Sequence, residues 1–326
     1  MLKQVFGQAV LGSVALLGAA WLSGCAVGSP VGATCDSGAD CESGACNDGV
    51  CIDATGGAGG GAAGGPTSGG QSEGGASAGG NGAGAAGGDG GGSGLCSPNH
   101  DAVVTREEVP LAAGLEAQFR VASDVTFSTA GQDVAGTLTW DLSGAFSGDH
   151  TVLLETMPLA EAWFEDLFPG ATYAARLADS ADVLGVFEIN DDALLLRGVV
   201  SPEDGLYRTE LEYDPPVVVL SFPLEEGASW TTEATVSGLT SGVFGVFFED
   251  YVSSVDARGD MITPFATFDA HRVRVDLTRT VGALVTTQVT FAFVAECFGT
   301  IATVRSQTNE DGAEFNDVSE LQRLTP

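Results

Sequence analysis

VTTQVTFAF, residues 285–293, is the longest clean apolar alternation in this chain of 326 residues. Its Val and Phe side chains recur with period two, which is typical of a β-strand whose two faces meet different surroundings. Gly282 and Gly299 flank the stretch, where hairpin turns commonly need glycine. The sequence therefore predicts a strand joined to both of its neighbours by tight turns.

The same alternation recurs outward from this stretch. Residues 134–140, 207–213 and 272–277 each alternate apolar and polar side chains. Asp214-Pro215-Pro216 follows the second run and is expected to break it before residues 217–220 resume. These patterns predict a mainly β fold, an antiparallel meander that forms a sandwich or an open barrel.

One segment has helical spacing instead. Leu159, Trp163 and Leu167 recur at steps of four, between Pro158 and Pro169-Gly170. This pattern favours one short amphipathic helix of about ten residues. Its aromatic stripe is expected to cover an open end of the sheet.

The N-terminal stretch has the composition of a secretory signal peptide. Lys3 precedes an apolar run from about residue 5 to residue 22, and small residues follow. Leu22-Ser23-Gly24-Cys25 resembles the lipobox of bacterial lipoproteins. That resemblance implies that residues 1–24 are removed and that Cys25 becomes the lipid-modified N-terminus. An ordinary signal peptide, or a transmembrane helix with a chance cysteine, is the alternative.

The remaining six cysteines are an even number suited to disulfides in an oxidising compartment. Four of them predict a small disulfide knot within residues 25–54, beside the lipid anchor. Zinc is the competing interpretation, but zinc ribbons usually need a C-x2-C pair, which this spacing lacks. Residues 34–51 resemble the short cysteine-rich repeats of secreted myxobacterial proteins. The knot cysteines are Cys35, Cys41, Cys46 and Cys51, and the remaining two, Cys96 and Cys297, are expected to pair.

Residues 55–94 consist of Gly, Ala, Ser and little else. Such side chains bury too little area to offset the entropy of ordering, so this linker is predicted to be disordered. A Gly-rich coil of this length spans roughly 35 Å on average. Residues 95–326 have ordinary globular composition and form the predicted β domain.

The chain is strongly acidic, with 12 Lys and Arg against 44 Asp and Glu and a formal net charge of −32. Nucleic acids and anionic lipid headgroups are bound through clustered cations, so both are excluded as partners. The sequence predicts attachment to a membrane only through lipid on Cys25. A protein or an envelope polysaccharide remains open as a further partner.

Motifs for catalysis or for a cofactor are weak. Residues 70–74 fit G-x-S-x-G, but they lie in the linker, without the strand and helix that a nucleophile elbow requires. The three histidines are far apart in sequence. The acidic turns at residues 190–192 and 309–312 lack the spacing of a calcium loop. We predict no catalytic residue, no metal and no cofactor.

His271, Arg272 and Arg274 belong to the densest positive cluster of the chain. The functional interpretation is that these residues form a ligand site for an anionic group. The alternative is that the arginines, on the outer face of their strand, offset carboxylates across the sheet.

A second resemblance covers the later half of the β domain. Phe222-Pro223-Leu224 with Trp230, followed by residues 263–269 and Arg272-Val273, is similar to the β domain of uncharacterised bacterial lipoproteins. The pattern departs at Phe265-Ala266, where those proteins have Ala-Gly. The resemblance implies no catalytic residues.

These observations predict a non-enzymatic lipoprotein of the cell envelope that presents a β domain for binding or for a structural role. Ala26 after the cysteine favours the outer membrane, and we expect the domain to face the cell surface. The alternative is a carrier or sensor of an apolar ligand, and a hydrolase with paired carboxylates ranks below both. We expect an aromatic-filled interior, whereas a hollow of several hundred Å³ would favour the carrier.

Overall fold

The structure is a computed structural model, and the chain separates into two units. In the unit of residues 22–93, β1 (Cys46–Asn47) pairs with β2 (Val50–Cys51) in antiparallel register, with Cys46 opposite Cys51. All other described strands belong to the second unit. The described residues are 46–47, 50–51, 96–179, 181–310 and 312–326.

Several predictions concern residues outside these ranges. The signal peptide, the lipidation of Cys25, the linker at 55–94, and Cys35 and Cys41 of the predicted knot all lie there. The domain boundaries at 24, 54 and 94 also lie outside the described residues and remain predictions.

Fourteen strands of residues 96–326 form one sheet, and twelve of them close into an antiparallel barrel. In chain order they are β3 (Glu116–Thr126), β4 (Gln132–Val134), β5 (Thr137–Asp141), β6 (His150–Met157), β7 (Tyr173–Ala178), β8 (Ala181–Ile189), β9 (Ala193–Val200), β10 (Glu210–Ser221), β11 (Ser229–Thr240), β12 (Val243–Ile262), β13 (Thr267–Val281), β14 (Leu284–Ala295), β15 (Gly299–Ser306) and β16 (Asp317–Leu324).

The barrel is a meander, as predicted, and it is closed. Each strand from β6 to β16 pairs with the next along the chain. β3 then pairs with both β6 and β16, so that Val121 lies opposite His150 on one side and Gln322 on the other. Closure satisfies the edges that an open sheet would leave unpaired. The sequence could not specify this pairing of the first and last strands.

The hairpin β4–β5 lies outside the closed ring. β5 runs parallel to the end of β12, with Trp140 opposite Met261. The predicted strand 134–140 is therefore a hairpin, because Ala135 and Gly136 adopt positive φ values of 54° and 90°. In contrast, the expected break at Asp214-Pro215-Pro216 is absent. β10 continues through it with a register shift against β9.

The prediction of an amphipathic helix is wrong. The described residues there contain only a 3-10 turn at Glu165–Leu167, within a series of short turns. Glu161 has a φ of 70°, which interrupts right-handed helical backbone. Among the described residues, no helix is both long and apolar enough to cross a membrane.

The aromatic side chains of this segment cover the outside of the barrel rather than an end. Phe164 and Phe168 pack with Leu184 and Val186 of β8. Phe168 lies over Gly198 of β9, where an added Cβ would meet its ring at 2.2 Å. Of the predicted stripe only Leu159 is buried, whereas Leu167 is 42% exposed, so the helical spacing identified neither the backbone nor the full buried face.

Both faces of β14 are covered, which explains its strict alternation. Phe291 and Phe293 point outward into a cluster that includes Trp140, whose ring centroid lies 5.0 Å from that of Phe293. Thr290 and Ala292 point into the barrel. The outer cluster is covered by the β4–β5 hairpin, so most of the large aromatic residues do not fill the interior.

The predicted disulfide between Cys96 and Cys297 is confirmed, with a Cα–Cα distance of 5.4 Å. Residues 96–115, which we call the strap, contribute Val104 and Val109 to the interior core. The backbone N–H of Cys297 donates a hydrogen bond to the carbonyl of Glu108 at 2.7 Å. The strap is thereby fixed to the β14–β15 turn by both a covalent bond and a hydrogen bond.

Candidate functional site

A cavity of about 430 Å³ lies inside the barrel. Ten of the twelve barrel strands and the strap contribute to its lining. Ala175 of β7 and Ala292 of β14 point into it, where larger side chains would occupy the space. The expectation of an aromatic-filled interior is therefore wrong.

The walls of the cavity are largely apolar. Tyr173 and Phe187 stack with ring centroids 5.2 Å apart, and Leu177 and Val219 lie among the lining residues. Burial raises the pKa of Tyr173 further above physiological pH, so its phenol is neutral. These walls can surround a hydrocarbon but supply little chemistry.

The accessible end of the cavity is also apolar. Leu115 of the strap and Phe298 of the β14–β15 turn both line the cavity and are 38% and 43% exposed. Phe298 packs edge-on against Phe268, with ring centroids 4.8 Å apart. Pro110 and Leu111 of the strap lie beside this mouth.

Buried polar side chains form the inner end of the site. Thr290, Thr303 and Gln322 line the cavity and are all at most 5% exposed. In the strand register, Thr290 lies opposite Arg305, and Arg305 lies opposite Glu320. We call these five residues, together with Gln288, the polar row. Thr290, Thr303 and Gln322 line the cavity, whereas Gln288, Arg305 and Glu320 are not lining residues.

The ionic pair within the polar row is compensated internally. Arg305 donates from Nη2 to Oε1 of Glu320 at 3.3 Å, and Gln322 donates to the same oxygen at 2.9 Å. Burial lowers the pKa of Arg305, while the charge of Glu320 opposes that effect. The pair places no net charge beside the cavity.

Three polar atoms of the row have no hydrogen-bond partner among the residues that the structure describes. They are Oγ1 of Thr290, Oε1 of Gln288 and Nε of Arg305. The amide nitrogen of Gln288 is satisfied, because it donates to the carbonyl of Ser306 at 3.1 Å. Buried polar atoms are usually paired, so each of the three requires an explanation.

A second ionic pair lies elsewhere in the barrel interior. Glu249 and Arg279 lie opposite each other in the register of β12 and β13, and both side chains are at most 3% exposed. The hydroxyl of Tyr251 donates to Glu249. No residue of β12 lines the cavity, and Arg279 is not a lining residue, so we assign this pair a role in stability.

The structure places Arg272, a predicted ligand residue, in intramolecular contacts. Its guanidinium donates to Asp256 and Glu314 at 2.8 Å and to the carbonyl of Thr129 at 2.7 Å. It also lies over the ring of Phe291, 4.2 Å from the centroid. The side chain is only 5% exposed.

Of the other two predicted ligand residues, Arg274 lies beside Arg272, 5.6 Å from the centroid of the same Phe291 ring, but each of the two has its own intramolecular partners. Arg274 donates to Asp276 at 2.7 Å, and His271 contacts the carbonyl of Ala102 at 3.0 Å. Burial lowers the pKa of His271, which keeps the imidazole neutral at physiological pH. The contacts favour the interpretation that the arginines offset carboxylates, and we do not propose an anion site here.

Sequence reasoning missed the cavity as the leading site. The available signal was the small side chain at residue 292 within a strand otherwise rich in Phe and Val. The described residues hold no group of three or more His, Cys, Asp or Glu side chains placed to bind a metal ion. Comparison with known proteins gave no match to a family model, a curated protein or a solved structure.

Proposed function

We propose that the barrel binds a small apolar molecule in its cavity and carries or senses that molecule at the cell envelope. The single observation that carries this proposal is the apolar cavity of about 430 Å³ with an apolar mouth. Its volume falls within the range of roughly 300–1,000 Å³ that is common for small-molecule sites. The proposed activity is binding without turnover.

The energetics of packing support a ligand. Protein interiors are close-packed, so a largely apolar hollow that the side chains of the barrel leave unfilled is unusual. Transfer of an apolar ligand from water onto these walls is favoured by about 25 cal/mol for each Å² of apolar surface buried.

The anchor belongs to the same proposal and rests on sequence alone. Lipid on Cys25 would hold the protein at the outer membrane, and the linker at 55–94 would separate the barrel from that membrane. Mass spectrometry should find Cys25 as a lipid-modified N-terminus, and an unmodified Cys25 would refute the anchor. Protease treatment of intact cells tests surface exposure, since a periplasmic barrel would survive it.

The cysteine knot is proposed on the same basis. Non-reduced peptide mapping should show two disulfides among Cys35, Cys41, Cys46 and Cys51, and free thiols or bound zinc would refute it. This measurement is independent of the cavity. It therefore tests the predicted oxidising location without bearing on ligand binding.

Titration with the neutral fluorescent probe N-phenyl-1-naphthylamine tests the cavity in the full chain. We expect saturable binding that is lost in Ala292→Phe and in Ala175→Phe, because each added ring occupies the hollow. The matched control is Ala283→Phe, at the exposed β13–β14 turn, which should bind the probe as the wild type does.

Two results would overturn the proposed carrier function. One is no saturable binding by the wild type, which would leave presentation of the barrel surface as the better function. The other is unchanged binding by both cavity variants, which would place the probe elsewhere. Circular dichroism of each variant establishes that it has folded.

A further inference from the structure

We infer that the cavity ligand is an uncharged amphiphile, with a hydroxyl or amide head at the polar row and an apolar chain toward the mouth. This inference rests on the proposed function and narrows it to one chemical class. It begins from the polar row, which has no role in an interior that merely accommodates hydrocarbon. A purely apolar guest would leave its unpaired atoms as they are.

The unpaired atoms of the row are complementary to a neutral head group. Oε1 of Gln288 accepts hydrogen bonds, Nε of Arg305 donates them, and the hydroxyl of Thr290 does both. A hydroxyl or a primary amide likewise both donates and accepts. Thr290 lines the cavity while its Oγ1 is buried, and rotation about χ1 to another staggered state places the hydroxyl where the methyl group now lies. Its hydroxyl is thus the first polar partner for an entering head.

The charges of the row exclude an ionic head. Arg305 is already paired with Glu320, and Gln322 donates to the same carboxylate. At the inner end, a carboxylate head would lie beside Glu320 and an ammonium head beside Arg305, whose charges are already paired with each other. The charged lining residues are Glu116, Glu155 and Arg176, and all three belong to strands β3, β6 and β7 beside Leu115 at the mouth, not to the polar row. A buried charge without a partner is strongly disfavoured, whereas a neutral head adds hydrogen bonds without adding charge.

The burial gradient sets the orientation. Thr290 and Gln322 are 2% and 1% exposed, while Leu115 and Phe298 at the mouth are more than a third exposed. The head therefore enters first, and the chain fills the apolar walls behind it. A cavity of about 430 Å³ is large enough for a chain of about a dozen carbons.

Competition against N-phenyl-1-naphthylamine in the full chain tests this inference. The competitors are dodecan-1-ol, dodecanoate and dodecylammonium at pH 7, each below its aggregation concentration. We expect the alcohol to bind about tenfold or more tightly than either ion, since unpaired buried polar groups discriminate by at least that factor.

Two variants connect the preference to the polar row. Thr290→Val keeps the shape of the side chain and should reduce the affinity for dodecan-1-ol about tenfold. The affinity for the probe should change less than about twofold. Gln288→Leu should act in the same direction. The matched control is Thr278→Val, on the outward face of β13, which should leave both affinities unchanged.

The outcomes separate this inference from the proposed function. If the probe binds but the three competitors have equal affinities, or if an ion binds most tightly, the inference of a neutral head group is wrong. The proposal of an apolar binding site then still stands. If neither Thr290→Val nor Gln288→Leu changes the affinity for dodecan-1-ol, the head group of the ligand does not bind at the polar row. Absence of probe binding by the wild type would overturn the proposed function itself.

Discussion

Cys96 is joined to Cys297 across 201 residues of sequence, and Cys297 lines the mouth of the cavity. The bond connects the start of the barrel domain to the turn between β14 and β15. Gly299, two residues further on, adopts a φ of 72° and also lines the cavity. One covalent link therefore both closes a long loop and fixes the strap beside the mouth.

Removal of this bond should destabilise the barrel substantially. A cross-link over so long a loop restricts the unfolded chain, and loss of a native disulfide typically costs about 2–5 kcal/mol. We expect Cys96→Ser/Cys297→Ser to lower the urea midpoint by the corresponding amount, with the native β spectrum retained. The double variant leaves the other cysteines intact, as chemical reduction would not. Coincident unfolding curves would contradict this prediction.

The ion pair between Glu249 and Arg279 should contribute more to stability than any exposed pair. Arg279→Met leaves the carboxylate of Glu249 buried without its counter-ion, which typically costs about 3–5 kcal/mol. Asp182→Asn is the control, because Asp182 is 81% exposed in its pair with Arg176, and such pairs contribute at most about 1 kcal/mol. Equal urea midpoints for the two variants would refute this ranking.

Local sequence patterns predicted the strands well but predicted the helix incorrectly. The alternation at 285–293 corresponds to β14 because the strand separates two different apolar environments, with Ala292 inside and Phe293 outside. The spacing of Leu159, Trp163 and Leu167 marks burial only in part, because Leu167 is 42% exposed. A series of short turns replaces the helix, and Glu161 in the left-handed region interrupts the helical backbone.

The cavity could not be predicted, because it is defined by residues far apart in the chain. Ala175 and Ala292 are unremarkable small residues until closure of β3 on β16 places their strands around one interior. The alternation of β14 assigned Phe291 and Phe293 to a buried face but could not show that this face points outward. The interior was consequently expected to contain the rings that lie outside it.

Two histidines should give opposite pH dependences of stability. The hydrogen bond with Asp179 raises the pKa of His150, so its contribution is complete below pH 6.5 and is lost as pH rises through the raised value. Burial lowers the pKa of His271, so stability is lost as pH falls below 6.5, where the unfolded chain binds a proton that the native imidazole resists.

Urea midpoints at about pH 5.5 and pH 7.5 test these two pH dependences, because histidines titrate in this range. His271→Gln should reduce the loss of stability on the acid side. His150→Gln should reduce the loss on the alkaline side by less than about 1 kcal/mol, because the pair with Asp179 is half exposed. Variants whose pH dependence matches that of the wild type would contradict the assignment.

The strap should also control how fast a ligand exchanges, given the proposed function. Leu111 and Leu115 line the mouth, and the strap that carries them is tied down by Cys96. Loss of the disulfide increases the freedom of this segment, so we expect N-phenyl-1-naphthylamine to dissociate several-fold faster from Cys96→Ser/Cys297→Ser. Among the lining residues only Cys297 at the mouth is replaced, so the number of probe molecules bound should stay at one. Stopped-flow dilution measures the dissociation rate, and the destabilised Arg279→Met serves as the control, because its strap remains attached. Equal acceleration in both variants would mean that general loosening of the barrel, rather than the strap, governs release.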